Sequence, residues 1–163
     1  MKMRIGFGYD VHGFEEGRPF VLGGVRIDFP KGLAGHSDAD VLVHAIIDSI
    51  LGAAGLGDIG KHFPPSDPAY KDISSLLLLE RAMAAVKERG LEVVNVDATI
   101  VCEEPRLAPY IAAMEERTAG VMGCGPERVN IKATTEEGLG ITGSNMAVKA
   151  YAVSLLDGMH GVR

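Results

Sequence analysis

Apolar and polar or small residues alternate through residues 3–12, a period of two that reads as a strand. A β-hairpin is predicted at 20–29, turning at Gly23-Gly24. The period then changes. Over 38–55, Val41, Leu42, Ala45, Ile46, Leu51 and Ala54 recur at helical spacing, and a Gly- and Pro-rich stretch at 55–72 reads as loop. A second helix is predicted over 73–90, closed by Gly90, and a β-branched strand over 91–102. Pro105 and Pro109 lead into a third helix over 107–122, followed by a strand at 128–135 and a turn at 138–143. The run 146–156 fits a helix by its length and alanine content; the need for one more sheet partner tips it to strand. The resulting order, β-ββ-α-α-β-α-β-β, predicts a single-domain α/β (α+β) two-layer sandwich over 1–163. Its sheet is expected to be mixed or antiparallel with helices on one face, in a ferredoxin-like arrangement.

Composition narrows the partners. The 163 residues suit one domain, and 47% apolar with 23% charged is ordinary for a globular protein. With no Trp, the core must be largely aliphatic. A net charge of −6 and no basic run argue against a nucleic-acid surface. No apolar run is long enough to span a membrane and the first residues lack a signal-peptide core, so a cytoplasmic protein is expected. Cys102 and Cys124 lack C-x-x-C spacing and read as reduced, mostly buried thiols. An anionic ligand would have to be held by local devices such as helix N-termini, backbone N–H groups or metal ions.

G-x-G-x-x-G occurs at 55–60 and 138–143, but neither copy is a dinucleotide signal. The first follows a helix and runs into loop. After the second only 20 residues remain, too few for the helix, strand and distal acid of that fold.

The residues with chemical potential lie elsewhere. Asp10 and His12 are two apart and so share one side of a strand. Asp40, His44 and Asp48 recur every fourth position and form a polar stripe on an apolar helix, preceded by His36, Ser37 and Asp38. Ser37 is a plausible N-cap there, with exposed N–H groups suited to an anion. If the helix packs across the strand, Asp10, His12 and His44 supply three ligands and leave a fourth tetrahedral position open, the pattern of catalytic zinc; Asp48, one turn from His44, then suits a supporting hydrogen bond. The same spacings also fit a surface Asp–His pair and a hydrogen-bonded core histidine. Asp58 in its Gly-flanked loop is a candidate for hydroxyls or phosphates. Thr134, Thr135 and Glu137 could hold a harder cation such as Mg²⁺, or simply make a turn.

Read together, GYDVHGF, GGVRI, HSDADVLVHAIIDSILGAAGLGDIGKHFP, NVDATIV, EPRLAPYI and VNIKATTEEGLGITG resemble the 2-C-methyl-D-erythritol 2,4-cyclodiphosphate synthases, collinearly over about 3–157. The resemblance implies an enzyme of the non-mevalonate isoprenoid pathway, a phosphorus–oxygen lyase that closes a cyclic diphosphate from a cytidine diphosphate substrate and expels CMP. It implies Asp10, His12 and His44 as ligands of one Zn²⁺ per chain, and Glu137 as ligand of Mg²⁺ or Mn²⁺ on the substrate diphosphate. His36 and Thr135 are implied as transition-state stabilisers, and His36 with Ser37 as phosphate contacts. Asp58, Ile59 and Gly60 correspond to contacts with the methylerythritol part. Phe63, Pro64, Pro65, Ser66 and Asp67 correspond to a further substrate loop, and Ile141 to another substrate contact. Cys102, Glu103, Glu104, Pro105, Arg106, Leu107 and Ala108, with Ala133, Thr134 and Thr135, correspond to the cytidine pocket. The family implies a homotrimer with active sites at subunit interfaces, and no nucleic-acid or membrane partner.

Two departures stand out. The chain reads GITGSNMA at 140–147 where many relatives read GFTGRGEG, so Ser144 replaces an arginine used for phosphate groups near the trimer axis. Pro65 replaces an acid of the substrate loop. Two other function classes share the metal triad: a zinc phosphohydrolase, in which the open position holds a water nucleophile, and a trimeric metal- or nucleotide-binding protein without turnover.

Overall fold

The computed structural model describes residues 3–158, so the ends of the expected 1–163 domain lie outside the described residues. Strand β1 (Arg4–Glu16) is longer than its alternation suggests, because its last three residues pair with β4 (Lys31–Leu33). Between them, β2 (Phe20–Leu22) and β3 (Val25–Ile27) form the expected hairpin. Helices α1 (Val41–Ala54), α2 (Ile59–His62) and α3 (Ser75–Glu88) follow, then β5 (Leu91–Val101), α4 (Ile111–Met122), β6 (Val129–Thr134), α5 (Gly140–Gly143) and β7 (Ala147–Gly158). Elements β4, α2 and α5 were not foreseen; at three or four residues none is long enough to show a period. The ambiguous C-terminal run is a strand because β7 has partners on both edges, β1 and β5.

The main sheet has the order β4-β1-β7-β5-β6, antiparallel except for the parallel pair β5–β6. The mixed sheet is as expected, but the ferredoxin-like arrangement is not what forms. That arrangement needs two interleaved split β-α-β units. Here β1 and β5 are parallel with β7 inserted between them, whereas β5-α4-β6 is a direct crossover between adjacent strands. β7 is the one strand left to insert, and it pairs with β1 and β5 instead of entering between β5 and β6.

Helix α1 lies on β1 and β7, α3 packs on α1, and α4 lies beside α3 and β6, so these helices share one face of the sheet. Their core is aliphatic, built from Leu42, Ile46, Ile47, Ile50, Leu51, Leu79, Val86, Ile100 and Val148. The even positions of β1 face α1 and its odd positions face away. That outer face is bare in the single chain: Ile5 is 73% and Phe7 63% exposed, with Tyr9, Val11 and Val153 beside them. Among the described residues no helix is long and apolar enough to cross a membrane.

Two glycines set the approach of α1 to β1. A methyl group at Gly8 would overlap the carbonyl oxygen of Ala45, and one at Gly6 that of Ser49. The helix backbone therefore rests directly on the strand. Asp40 fixes the other end of α1. Its carboxylate accepts from Val43 N–H at 3.1 Å, Gly23 N–H at 3.0 Å and Gly24 N–H at 2.7 Å, tying the hairpin to the helix start. The N-cap is thus Asp40 and not Ser37, and this buried carboxylate takes the Val43 N–H, one of the helix-start groups that were expected to be open to an anion. Burial, then the neighbouring charge of Asp38, pushes Asp40 up to about 6 despite those three donors.

Gly8→Ala is expected to destabilise the protein by roughly 1–3 kcal/mol, the ordinary cost of overpacking. Urea unfolding checks this, and a wild-type midpoint would show that α1 can move off β1 freely.

Candidate functional site

Because α1 sits on the even face of β1, His44 arrives beside Asp10 and His12. Three atoms converge. The Asp10 carboxylate oxygen Oδ2 lies 2.9 Å from His12 Nε2 and 3.0 Å from His44 Nδ1, and the two imidazole nitrogens are 3.2 Å apart. The opposite nitrogens are committed elsewhere. His12 Nδ1 donates to the Ala34 carbonyl at 2.6 Å; His44 Nε2 lies 2.9 Å from Ser75 Oγ and 3.2 Å from Ser37 Oγ. A backbone carbonyl can only accept, so His12 is held with its Nε2 lone pair toward the triad.

One carboxylate and two such imidazoles within 4.8 Å of one another fit a metal ion, with a fourth position left for a ligand. Without the ion, the same groups form an electrostatic knot. Burial opposes the Asp10 charge, but the nearby imidazoles of His12, first, and His44 outweigh it and hold the carboxyl well below the usual range. Burial likewise opposes a charge on His12, and its bond to Asp10 overcomes this and raises it.

The triad lines a cavity of about 270 Å³ whose walls also include His36, Ser37, Ile59, Gly60, Phe63, Pro65 and Tyr70. His36 Nε2 bonds the Asp67 carbonyl at 3.1 Å, which ties His36 to the loop that carries Phe63 and Pro65. Asp58 caps α2 through Lys61 N–H at 2.9 Å, and Asp67 caps the 3₁₀ turn at Pro68–Tyr70 through Ala69 N–H at 2.9 Å. Phe63 stacks edge-on against Tyr70, with the Arg81 guanidinium over the Tyr70 ring. Pro64 and Ser66 belong to the same loop but are not among the cavity walls.

Asp48 does not support the imidazoles. Its carboxylate accepts from Ile59 N–H at 2.7 Å and so holds the start of α2 over the cavity. Burial, the largest influence, raises it. Spacing along α1 correctly put Asp48 on the stripe, but what it meets depends on where the later chain crosses.

A second cavity of about 510 Å³ is lined by Cys102, Glu103, Glu104, Pro105, Arg106, Leu107, Ala108, Ala133, Thr134 and Thr135, the full set expected for cytidine, together with Ile111. Cys102 is buried and Cys124 half-buried, both free thiols; burial pushes Cys102 up to about 12, so it is inert as a nucleophile. The Thr135 hydroxyl donates to Glu137 at 3.2 Å, and Glu137 and Ile141 are exposed beyond the cavity.

The two cavities share no wall residue. Pairing runs Val11–Lys149–Val101–Thr134 straight across the sheet, so Thr134 is three strand spacings from the triad strand, roughly 14 Å. Within one chain Thr134, and Thr135 that follows it, therefore stand away from Asp10, His12 and His44. The residues missed by sequence reasoning are Ser75, Asp38 as its partner, and the carbonyl of Ala34. A serine before an apolar run signals only a helix start, and a backbone carbonyl has no sequence signature.

Comparison with known proteins places the geometry in context. The family model described as YgbB family matches residues 3–157. The chain belongs to the YgbB family. It is 58% identical over 154 residues to the 2-C-methyl-D-erythritol 2,4-cyclodiphosphate synthase of Moorella thermoacetica, covering 94% of each. Among solved structures, it superposes with TM-score 0.96 and 40% identity on the bifunctional IspDF of Campylobacter jejuni, covering 99% of this chain and 44% of that one. It superposes with TM-score 0.84 and 30% identity on the CDP complex of Plasmodium falciparum IspF, covering 97% of both.

The paired ionisations of this YgbB-family site give a signed pH dependence. The depressed Asp10 stabilises the metal-free fold above about pH 4 and loses this as pH falls through its folded value. The raised His12 stabilises it below about pH 6.5 and loses this as pH climbs past its folded value. Thermal midpoints of metal-free protein should therefore show the full contribution of the triad between those limits. Zinc must displace the His12 proton, so its affinity should rise with pH across the upper limit, with proton release measurable by calorimetry in buffers of different ionisation enthalpy.

Proposed function

We propose that this chain is a 2-C-methyl-D-erythritol 2,4-cyclodiphosphate synthase acting as one domain. It converts 4-diphosphocytidyl-2-C-methyl-D-erythritol 2-phosphate to the 2,4-cyclodiphosphate and releases CMP, in the non-mevalonate isoprenoid pathway. The observation that carries this reading is the convergence of Asp10, His12 and His44 in the wall of a cavity that His36, Ser37, Ile59, Gly60, Phe63 and Pro65, all expected to hold the substrate, also line. Membership of the YgbB family and the named activity of the Moorella thermoacetica relative support it.

The substrate's 2-phosphate attacks the β-phosphorus, and CMP leaves. The attacker is already an anion, so alignment and relief of charge repulsion matter more than a strong general base. Asp10, His12 and His44 would hold the zinc, which would supply a Lewis acid and template for one phosphate, and Glu137 would hold a magnesium or manganese ion that would offset charge on the departing one. Glu137 fits the latter role, because one exposed carboxylate leaves that ion room for water and phosphate oxygens. In this reading His36 and Ser37 hold phosphate oxygens, and His36, braced on the Asp67 carbonyl, steadies the transition state with Thr135. Asp58, Ile59 and Gly60 take the methylerythritol hydroxyls, with Phe63 to Asp67 and Ile141 closing around them. The cavity at Cys102–Ala108 and Ala133–Thr135 takes cytidine, in keeping with the CDP named for the Plasmodium falciparum structure.

The roughly 14 Å between the triad strand and Thr134 in one chain favours a site shared between chains, the triad of one facing the cytidine cavity of the next. A homotrimer packed through the bare apolar face of β1 and β7 provides that neighbour.

Turnover is tested by incubating zinc-loaded protein with substrate and Mg²⁺ and following phosphorus NMR. Cyclic diphosphate and CMP are expected; a linear product carrying solvent oxygen, or no turnover, overturns the reading. His44→Ala should lose stoichiometric zinc and at least about 10³-fold in activity, in line with the several kcal/mol a metal supplies. The double variant Ile5→Asp/Phe7→Asp should sediment as a monomer and lose turnover while keeping its zinc. A variant that stays trimeric would place the interface elsewhere.

A further inference from the structure

Of the triad, Asp10 and His12 are fixed by the sheet, whereas His44 projects from a helix and depends on what lies behind its ring. There stands Ser75, the first residue of α3, buried completely. Asp38 grips Ser75 with both carboxylate oxygens: Oδ2 accepts the Ser75 backbone N–H at 3.0 Å, and Oδ1 accepts the Ser75 hydroxyl in a short contact. The hydroxyl has a single proton, and Asp38 takes it. Ser75 Oγ therefore faces His44 Nε2, 2.9 Å away, with lone pairs only. The imidazole must donate there, which leaves the lone pair of Nδ1 on the triad side.

An opposing pull makes this arrangement necessary. Asp10 Oδ2 lies 3.0 Å from His44 Nδ1, and a carboxylate at that distance draws the imidazole proton onto Nδ1. That tautomer bonds Asp10 well and cannot ligate a metal through Nδ1. Ser37 Oγ, 3.2 Å from Nε2, keeps its own hydroxyl proton free to donate and so does not decide between the two tautomers.

We infer that the Asp38–Ser75 pair is a positioning device for the metal centre, forcing His44 into its Nε2–H tautomer against the pull of Asp10. The inference rests on the triad being the metal site of the proposed function. It adds a coupling. Ser75 follows directly on the loop that walls the cavity, and Asp38 follows His36 and Ser37; Asp38 N–H donates to the Ile73 carbonyl at 3.0 Å, and Asp72 N–H to the His36 carbonyl at 2.8 Å. The phosphate-side residues, the substrate loop and the tautomer of His44 are thus tied at one point.

Two readouts on the full-length protein test this. In metal-free protein in alkaline buffer, where imidazoles are neutral, long-range ¹H–¹⁵N spectra report the tautomer of His44 directly. The parent should show Nε2–H; Ser75→Ala should shift to Nδ1–H. Zinc affinity, measured by chelator competition, should fall about 10- to 100-fold in Ser75→Ala, as for loss of other groups that orient metal-bound histidines. Ser75→Thr, which keeps the hydroxyl, should restore both. The inference is overturned if Ser75→Ala keeps the Nε2–H tautomer and the parent's zinc affinity, or if folded Ser75→Thr behaves as Ser75→Ala does. Since the tautomer is read without metal, a parent that took up no zinc would sink the functional reading while still reporting on Ser75.

Discussion

The contact between α1 and β1 governs the rest of this molecule. Gly6 and Gly8 remove the side chains that would hold the helix backbone off the strand, so the carbonyls of Ser49 and Ala45 settle where β-carbons would otherwise stand. A helix resting this low brings a long imidazole at position 44 level with the side chains of Asp10 and His12. Raised by the thickness of a methyl layer, His44 would overshoot the strand, and the three donor atoms would not meet. The close approach also explains why α1 is buried almost all round: it has the sheet beneath it and α3 above, and Asp40 locks its start to the hairpin.

The polar groups behind the triad are arranged so that each imidazole faces an acceptor on its far side. Ala34 contributes a carbonyl that can only accept, and Ser75 a hydroxyl whose proton is already given to Asp38, so both imidazoles present lone pairs to the same point. Burial makes this ordering effective, since in a low-dielectric setting an unpaired nitrogen or carboxylate is costly and alternatives are suppressed. The cost shows in the ionisation of Asp10 and His12, which lean on one another until a cation replaces their proton.

Much of this was legible along the chain. The alternation of β1 placed Asp10 and His12 on one side, the four-residue stripe placed His44 on the polar edge of an apolar helix, and the long helix α1 followed from its period, whereas β4 was missed and β7 was read as strand only from the need for a sheet partner. The stripe misled at Asp48, which faces Ile59 N–H and not an imidazole, and the serine at 37 misled as a cap because Asp40 fills that role. Spacing tells which residues share a face; it is silent on which segment crosses that face. The ferredoxin-like expectation failed for the same reason, since element order does not state whether a strand inserts between two parallel partners.

By itself, then, the sequence determined the local order, because period, glycine position and turn chemistry act within a few residues of one another. It also determined the supply of donors: one carboxylate and two imidazoles on faces that could meet, and a chain of motifs shared with a known family. Only the tertiary structure decided that they do meet, that Ser75 from a distant helix sits behind His44, and that the triad strand and Thr134 stand three strands apart. Those facts depend on how segments separated by tens of residues pack against one sheet. Packing of that kind is settled by close approach and by partner-for-partner hydrogen bonding, which no local pattern records.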